Sequence, residues 1–315
     1  MKKISSRYKI RNTVASIGIF DSVHRGHRKI LKRLVDEARR EKRKSLVITF
    51  HPHPRKILHP KARVPFITSL DHRLRLIKAM DVDFLAVVKF TKYISTMNAE
   101  DFISDIIVRT LNIKALVVGE NFLFGKNGKG DFSALKKAAK KYGFKVFAVR
   151  SVKIKGKVVS STRIRRAIEK GDLKSASLML GRPVAILGTV VKGRRVGRKI
   201  GFPTANIDPH HEAIPPSGVY AVDAKLKNRY YKAVLNIGRS PTFGPSIEPT
   251  IELHILDFNK IIYKKEVEIA FKKKLRNEKR FSSIGSLREQ IKKDIQKASV
   301  LDSVRLWRAS SNDIL

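Results

Sequence analysis

Two histidines separated by Arg-Gly, in Gly18-Ile19-Phe20-Asp21-Ser22-Val23-His24-Arg25-Gly26-His27, stand where an apolar stretch passes into an amphipathic one. If these are a strand and a helix, the helix start offers free backbone N–H groups and a partial positive charge, which suit phosphate. His24 and His27 can both face that phosphate, and Gly26 lets the backbone come close. Charge stabilisation at a pentacoordinate phosphorus, with no covalent intermediate, is the chemistry this pattern serves. Histidines on a merely capped, exposed helix would show the same spacing, so the companions decide. Thr49-Phe50-His51-Pro52-His53-Pro54 ends a second strand-like run, and Val118-Gly119-Glu120-Asn121-Phe122-Leu123-Phe124-Gly125 ends a later one. Ser160-Ser161-Thr162-Arg163-Ile164-Arg165 opens a helical run with hydroxyls and arginine, the parts of a phosphate clamp. Alone it would be a plain N-cap.

A second constellation lies further on. Gly188-Thr189-Val190-Val191-Lys192-Gly193-Arg194-Arg195-Val196-Gly197-Arg198-Lys199-Ile200-Gly201-Phe202-Pro203-Thr204-Ala205-Asn206 joins a strand to a glycine-rich basic loop. Glycines free the backbone to wrap phosphates, and the Thr204 hydroxyl and Asn206 amide oxygen are hard ligands suited to magnesium between them. A solvated hairpin loop is the plainer alternative. Glu252, in Pro249-Thr250-Ile251-Glu252-Leu253-His254, is a carboxylate on a strand that could take a hydroxyl proton.

These residues need a scaffold. Residues 13–20 read as a buried strand, and 27–42 carry Ile30, Leu31, Leu34, Val35 and Ala38 at helical spacing. Strand 45–50, helix 69–80, strand 83–88, helix 98–110, strand 115–119, helix 133–142 and strand 145–149 follow. Strands alternating with helices predict a parallel, Rossmann-like sheet with helices on both faces, and the motifs above then share its ligand-binding edge. Two short helices, 161–169 and 172–180, are expected to close a first domain at residues 1–182. Segments 184–192, 218–226, 229–237, 250–256 and 266–274 are short and β-rich, predicting a small antiparallel barrel in a second domain, 183–315. A C-terminal helix over 286–297 and a further helical segment through Trp307 complete it, with the last residues fraying.

Taken together the motifs resemble the bacterial bifunctional riboflavin kinase/FAD synthetases, whose first module belongs to the HxGH nucleotidyltransferase superfamily. Gly218-Val219-Tyr220-Ala221 and Asn236-Ile237-Gly238-Arg239-Ser240-Pro241-Thr242 extend the resemblance, which spans about residues 13–298. It implies phosphorylation of riboflavin to FMN in the second domain and adenylylation of FMN to FAD, with release of pyrophosphate, in the first. In the first it implies ATP at Gly18, Phe20, Asp21, His24, Gly26 and His27, with Ser161, Thr162 and Arg165 on the β- and γ-phosphates. FMN would meet His53, Asn121, Phe122 and Phe124. In the second it implies ATP at Gly188, Val190, Gly193, Arg198, Gly201, Pro203, Thr204, Asn206, Gly218 and Tyr220, with Mg2+ on Thr204 and Asn206. Glu252 would be the base for the riboflavin 5′-hydroxyl, and Phe281 and Leu287 would cover the flavin. The chain departs from the family pattern at Ser22, usually glycine, at Arg28, often glutamine, and at Ile261-Ile262-Tyr263-Lys264, where the family shows an acidic residue and then Leu-Tyr-Gly.

Composition bounds the rest. With 315 residues and 42% apolar side chains, each domain can bury a core. The absence of cysteine excludes disulfides, thiolate catalysis and Cys-ligated zinc. The basic start, MKKISSRYKIRN, lacks the apolar run of a secretory signal, so a cytoplasmic location is expected. The formal charge of +41 is spread over both halves, +29 in residues 1–182 and +12 in 183–315. It admits a nucleic-acid partner, but no nucleic-acid motif accompanies it, and a basic background that concentrates polyanionic substrates is the favoured reading. A nucleotidyltransferase acting on another phosphate is a further alternative, against which the Pro203–Asn206 segment speaks.

Overall fold

The computed structural model describes residues 2–3, 11–59, 61, 65–193, 196–238 and 249–303. Arg194, Arg195, the pattern at Arg239–Thr242 and the segment through Trp307 with its fraying end lie outside the described residues.

By packing, the described chain falls into two compact units. Residues up to 61 join Arg73–Ser160 in one, and Pro65–His72 joins residues 161–303 in the other. The expected boundary followed Arg182, where the sequence texture changes. The helices Ser161–Glu169 and Leu173–Leu180, expected to close the first domain, instead cluster with the second unit. Local contacts explain this: Gly171 between them lies against Pro216, the Ser177 hydroxyl accepts from the Val184 N–H at 3.3 Å, and Arg165 Nε donates to Pro65 O at 2.7 Å.

In the first unit, β1 (Lys2–Lys3), β2 (Val14–Ile17), β3 (Ser45–His51), β4 (Phe84–Lys89), β5 (Ala115–Gly119) and β6 (Lys145–Val149) form a parallel sheet in the order β1-β4-β3-β2-β5-β6. The near-continuous apolar runs of β2, β3 and β5 are buried on both faces, as central parallel strands require. The chain moves outward from β2 through β3 and β4, then returns to β2's other side with β5. That reversal opens a crevice at the C-terminal end of β2, the place where doubly wound sheets bind ligands. Helix Arg25–Arg40 begins there and buries Leu31, Leu34, Val35 and Ala38, the stripe its spacing predicts.

The helix expected over 98–110 differs in kind. After a short turn Ala99–Asp101, capped by the Asn98 side chain, Phe102–Thr110 winds as a π-helix. Its buried residues, Phe102, Ile103 and Ile107, are spaced by one and four, which a wider turn can bring to one face. A short hairpin, β7 (Lys153–Ile154) and β8 (Lys157–Val158), follows β6 and was not foreseen.

The second unit is a closed antiparallel barrel of β9 (Ala185–Val191), β10 (Ala205–Asp208), β11 (Gly218–Leu226), β12 (Arg229–Gly238), β13 (Thr250–Ile255) and β14 (Glu266–Arg276). Alternate residues such as Ile207, Tyr220, Leu235, Ile237, Ile251 and Leu253 fill it. On its outer face Val219, Ala221 and Val234 pack with Ala298 of the C-terminal helix Ile284–Ser299.

Pro65–His72, far from the barrel in sequence, is built into it by a buried acid. Glu212 accepts hydrogen bonds from the Ser69 N–H at 2.6 Å and the Leu187 N–H at 3.0 Å, and its carboxylate faces His72 Nδ1 at 3.1 Å. Burial disfavours the charged imidazole, but Glu212 and Glu268 outweigh it and raise the His72 pKa from 6.5 to about 9. A pKa raised by folding stabilises fully below the unfolded value and is lost as pH rises through the folded one. Stability of this unit is therefore expected to decline from pH 6.5 to about 9. Glu212→Ala, which leaves His72 with Glu268 alone and the Ser69 and Leu187 N–H groups without their acceptor, should cost about 3–5 kcal/mol in urea unfolding and shrink that decline.

Candidate active sites

At the sheet crevice the turn after β2 is held tightly. The Gly18 N–H donates to Ile48 O at 3.0 Å, and Phe20, Ser22 and Val23 all take positive φ, of 52°, 78° and 42°. Ser22 thus adopts a left-handed conformation at the position where the family pattern has glycine. His24 caps helix Arg25–Arg40: its Nδ1 accepts the His27 backbone N–H at 3.2 Å. An accepting Nδ1 leaves the ring proton on Nε2. The two imidazoles stack with centroids 3.7 Å apart at 15°, and Phe20 meets His27 edge-on at 5.3 Å. A Cβ on Gly26 would stand 3.1 Å from His24 Cε1, so glycine is needed by the ring as well as by any ligand.

Burial, followed by the charges of His24 and Arg73, holds the His27 pKa well below its usual 6.5. His27 is therefore neutral at physiological pH and offers an N–H rather than a full charge. Arg73, which sequence reasoning missed, is itself buried and donates to Ile19 O at 2.8 Å and Phe50 O at 3.2 Å. Nothing local in its own sequence signals that role, because both partners are more than 20 residues away.

The other residues expected at this edge follow strands β3 and β5. His53 caps the short helix Pro54–Leu58, its Nδ1 accepting from the Arg55 N–H at 3.1 Å. The Asn121 amide donates to Ser151 Oγ at 3.2 Å, beside a 2.8 Å bond from the Ser151 N–H to Glu120. Phe122 and Phe124 stack at 5.6 Å, but Phe124 is buried against Phe102 in the core while Phe122 keeps a partly open face. Ser161, Thr162 and Arg165 fall in the other unit, at the start of helix Ser161–Glu169.

The barrel unit holds a cavity of about 280 Å³ between the barrel's outer face and the C-terminal helix. Thr204, Asn236, Glu252, His254, Arg276 and Asp294 are among its lining residues. Strand register explains the convergence: Glu252 on β13 is paired with Asn206 on one side and with Asn236 on the other, so the three share one face. Burial raises the Glu252 carboxyl above its usual pKa, making it a stronger base than a solvated glutamate. The Pro203 carbonyl accepts from His254 Nδ1 at 2.8 Å, and the His254 ring meets Phe202 edge-on. The helix is pinned above by Arg276 Nε donating to the buried Asp294 carboxylate at 2.9 Å. Phe281 and Leu287, expected to cover this site, also line the cavity.

The basic loop packs against the same strand. A Cβ on Gly193 would stand 1.9 Å from the Asn206 amide nitrogen, and one on Gly197 would stand 2.4 Å from Phe202 O. Gly201 has φ +86°, and Arg198 is exposed. Gly188, Val190, Gly218 and Tyr220 also have structural duties. Side chains at Gly188 or Gly218 would strike Ile207 and Arg276 O, Val190 is buried, and the Tyr220 hydroxyl donates to Pro216 O inside the barrel. Burial pushes the Tyr220 pKa up to about 12. His254, Arg276 and Asp294 lay within or near recognised segments without being singled out, since only the fold reveals what they hold.

Fold and sites together define a two-site enzyme for phosphate-bearing substrates, a nucleotidyltransferase-type sheet followed by a kinase-type barrel. A family profile described as FAD synthetase matches residues 6–163, and one described as riboflavin kinase matches residues 180–301. A protein of Buchnera aphidicola subsp. Schizaphis graminum named bifunctional riboflavin kinase/FMN adenylyltransferase is 36% identical, with 94% of each chain covered. Its namesake in Escherichia coli strain K12 is 38% identical over 89% of this chain and 90% of its own. A crystal structure described as a macrolide-efflux protein from Streptococcus pneumoniae superposes with a TM-score of 0.82 at 30% identity, covering 93% of this chain and 95% of that one. This chain belongs to the bifunctional riboflavin kinase/FMN adenylyltransferase family. Among the described residues no helix is long and apolar enough to cross a membrane.

Gly193→Ala tests the loop contact. The new methyl must turn the Asn206 amide away while leaving the strand intact, so the KM for MgATP in riboflavin phosphorylation is expected to rise about tenfold. The melting temperature should move by no more than about 2 °C.

Proposed function

We propose that the chain makes FAD from riboflavin in two ATP-dependent steps, phosphorylation in the barrel unit and adenylylation at the sheet crevice, with functional halves at residues 1–182 and 183–315. The observation that carries the first step is the convergence of Glu252, Thr204 and Asn236 on one cavity, with Asn206 in register beside Glu252. The riboflavin 5′-hydroxyl gives its proton to the Glu252 carboxylate as its oxygen attacks the γ-phosphorus, and ADP leaves. Thr204 and Asn206 offer neutral oxygen ligands, and among the described residues no cluster of three His, Cys, Asp or Glu side chains could hold an ion unaided. This donor set fits a hard divalent ion shared with nucleotide phosphates, and we assign Mg2+, which offsets the charge of the phosphates when bound. The basic loop, with Gly193, Arg198 and Gly201, wraps the ATP. Gly188, Val190, Pro203, Gly218 and Tyr220 are assigned to the same ATP on the family resemblance.

In the second step an FMN phosphate oxygen attacks the α-phosphorus of ATP, and pyrophosphate leaves on the opposite side. His24 Nε2–H and the neutral His27 donate to triphosphate oxygens at the helix start, on a turn built from Gly18, Phe20, Asp21 and Gly26. Ser161, Thr162 and Arg165 are assigned to the β- and γ-phosphates, and His53, Asn121, Phe122 and Phe124 to the FMN side, on the family resemblance. A cytoplasmic location, where ATP is plentiful, accords with this reading. The +41 charge serves to draw in these anionic substrates rather than nucleic acid.

Incubation of the purified protein with riboflavin and MgATP, followed by chromatography, should yield FMN and FAD. Glu252→Gln is expected to lower FMN formation by about 10²–10⁴-fold while FAD formation from supplied FMN continues. His27→Ala should do the reverse, and loss of both activities in either variant would contradict independent sites. Because burial raises the Glu252 pKa above 4.5, phosphorylation should fall as pH drops through that raised value. The residual rate of Glu252→Gln should lack this acid limb.

A further inference from the structure

We propose that Arg73 is the positioning residue of the adenylylation site: its guanidinium ties the turn that leads to the paired imidazoles to the end of the neighbouring strand β3 and fixes a positive charge near His27 for the incoming triphosphate. The inference rests on the reading of the sheet crevice as the site of adenylylation.

The geometry is specific. Arg73 Nη1 donates to Ile19 O at 2.8 Å, in the turn that leads from β2 to His24, and Nη2 donates to Phe50 O at 3.2 Å, near the end of β3 ahead of His53. Two adjacent strand ends are thus held at a separation set by one rigid fork. Thr49 Oγ1 adds a second donor to the same Ile19 carbonyl at 3.0 Å. Ile19 is followed by the positive-φ residues Phe20, Ser22 and Val23, so the point held is the start of the turn that presents both histidines.

The electrostatics point to a ligand. A guanidinium only 4% exposed, bonded to neutral carbonyls, is costly to desolvate, and burial lowers the Arg73 pKa against the pull of Asp21. Its Nε has no hydrogen-bond partner among the described residues, and Asp21 is the carboxylate that acts on it, without outweighing burial. A cation kept in this state is compensated when a polyanion arrives. It also acts on His27, whose depressed pKa is due to burial first, then to His24 and Arg73. Lysine would supply the charge without the fork, and methionine the bulk without either.

The test compares Arg73→Lys and Arg73→Met for melting temperature, for FAD formation from FMN and MgATP, and for the His27 ring titration by NMR. Arg73→Met is expected to lower kcat/KM for ATP about a hundredfold and to let the His27 pKa rise. Arg73→Lys should keep His27 deprotonated yet lower kcat, because the strand ends are no longer held. A folded Arg73→Met with unchanged kinetics and titration would overturn the proposal. So would an Arg73→Lys protein with wild-type FAD synthesis, or unfolding of both variants, which would reduce Arg73 to a structural tie. Failure of the wild-type protein itself to make FAD would instead sink the functional reading.

Discussion

Neighbouring residues of a β-strand point to opposite faces, so Ile251 and Leu253 can enter the barrel core only if Glu252 between them leaves it. The same parity sends Asn206 and Asn236 outward, and strand register sets them on either side of Glu252. A one-residue slip of β13 would bury the carboxylate and expose two large aliphatic side chains, so the core that stabilises the barrel also fixes the polar rung. The C-terminal helix then turns that outer face into a cavity. Its apolar residues cover Val219 and Val234, and its buried Asp294 fastens to Arg276 at the end of β14.

The sheet crevice rests on a different constraint, the need of a helix start for acceptors. Histidine is an unusual cap, and its use here has a chemical result. By accepting the His27 N–H, His24 Nδ1 commits its remaining ring proton to Nε2, and stacking holds the second ring parallel to the first. A single hydrogen bond therefore decides tautomer and orientation together. The cost falls on the turn, where three non-glycine residues take positive φ to bring His24 into place.

Much of this was legible in the sequence where a feature depends on neighbours along the chain. Strand–helix alternation, the stripe on helix Arg25–Arg40 and the short strands of the barrel all follow from local periodicity. The convergence of Thr204 and Glu252 on one cavity was expected from the resemblance of the motifs to a known family, not from periodicity. Features made by distant partners were not legible. The union of Pro65–His72 with the barrel depends on Glu212, 140 residues from His72. The grouping of helices Ser161–Glu169 and Leu173–Leu180 depends on small contacts at Gly171 and Ser177. Apolar content at 98–110 indicated a helix but could not distinguish a π-helix from an α-helix, because the choice lies in which residues the core accepts. Glycines at 188 and 218, expected from the resemblance to meet ATP, also have a packing reason that only the fold shows, since a side chain there would strike Ile207 or Arg276 O.

One physical cause tunes both sites in opposite chemical senses. Burial penalises charge, whichever group carries it. For Glu252 this raises the pKa and strengthens the carboxylate as a proton acceptor; for His27 it lowers the pKa and keeps the imidazole neutral. In the proposed mechanism the kinase site uses a base because a hydroxyl must lose its proton. The nucleophile of the second step is a phosphate oxygen already deprotonated near neutrality, so that site needs donors and fixed charge instead. Desolvation supplies the first requirement directly. On the proposed assignment it supplies the second only with help: a neutral histidine would contribute an N–H, and the full positive charge would come from arginine, whose ionisation survives burial.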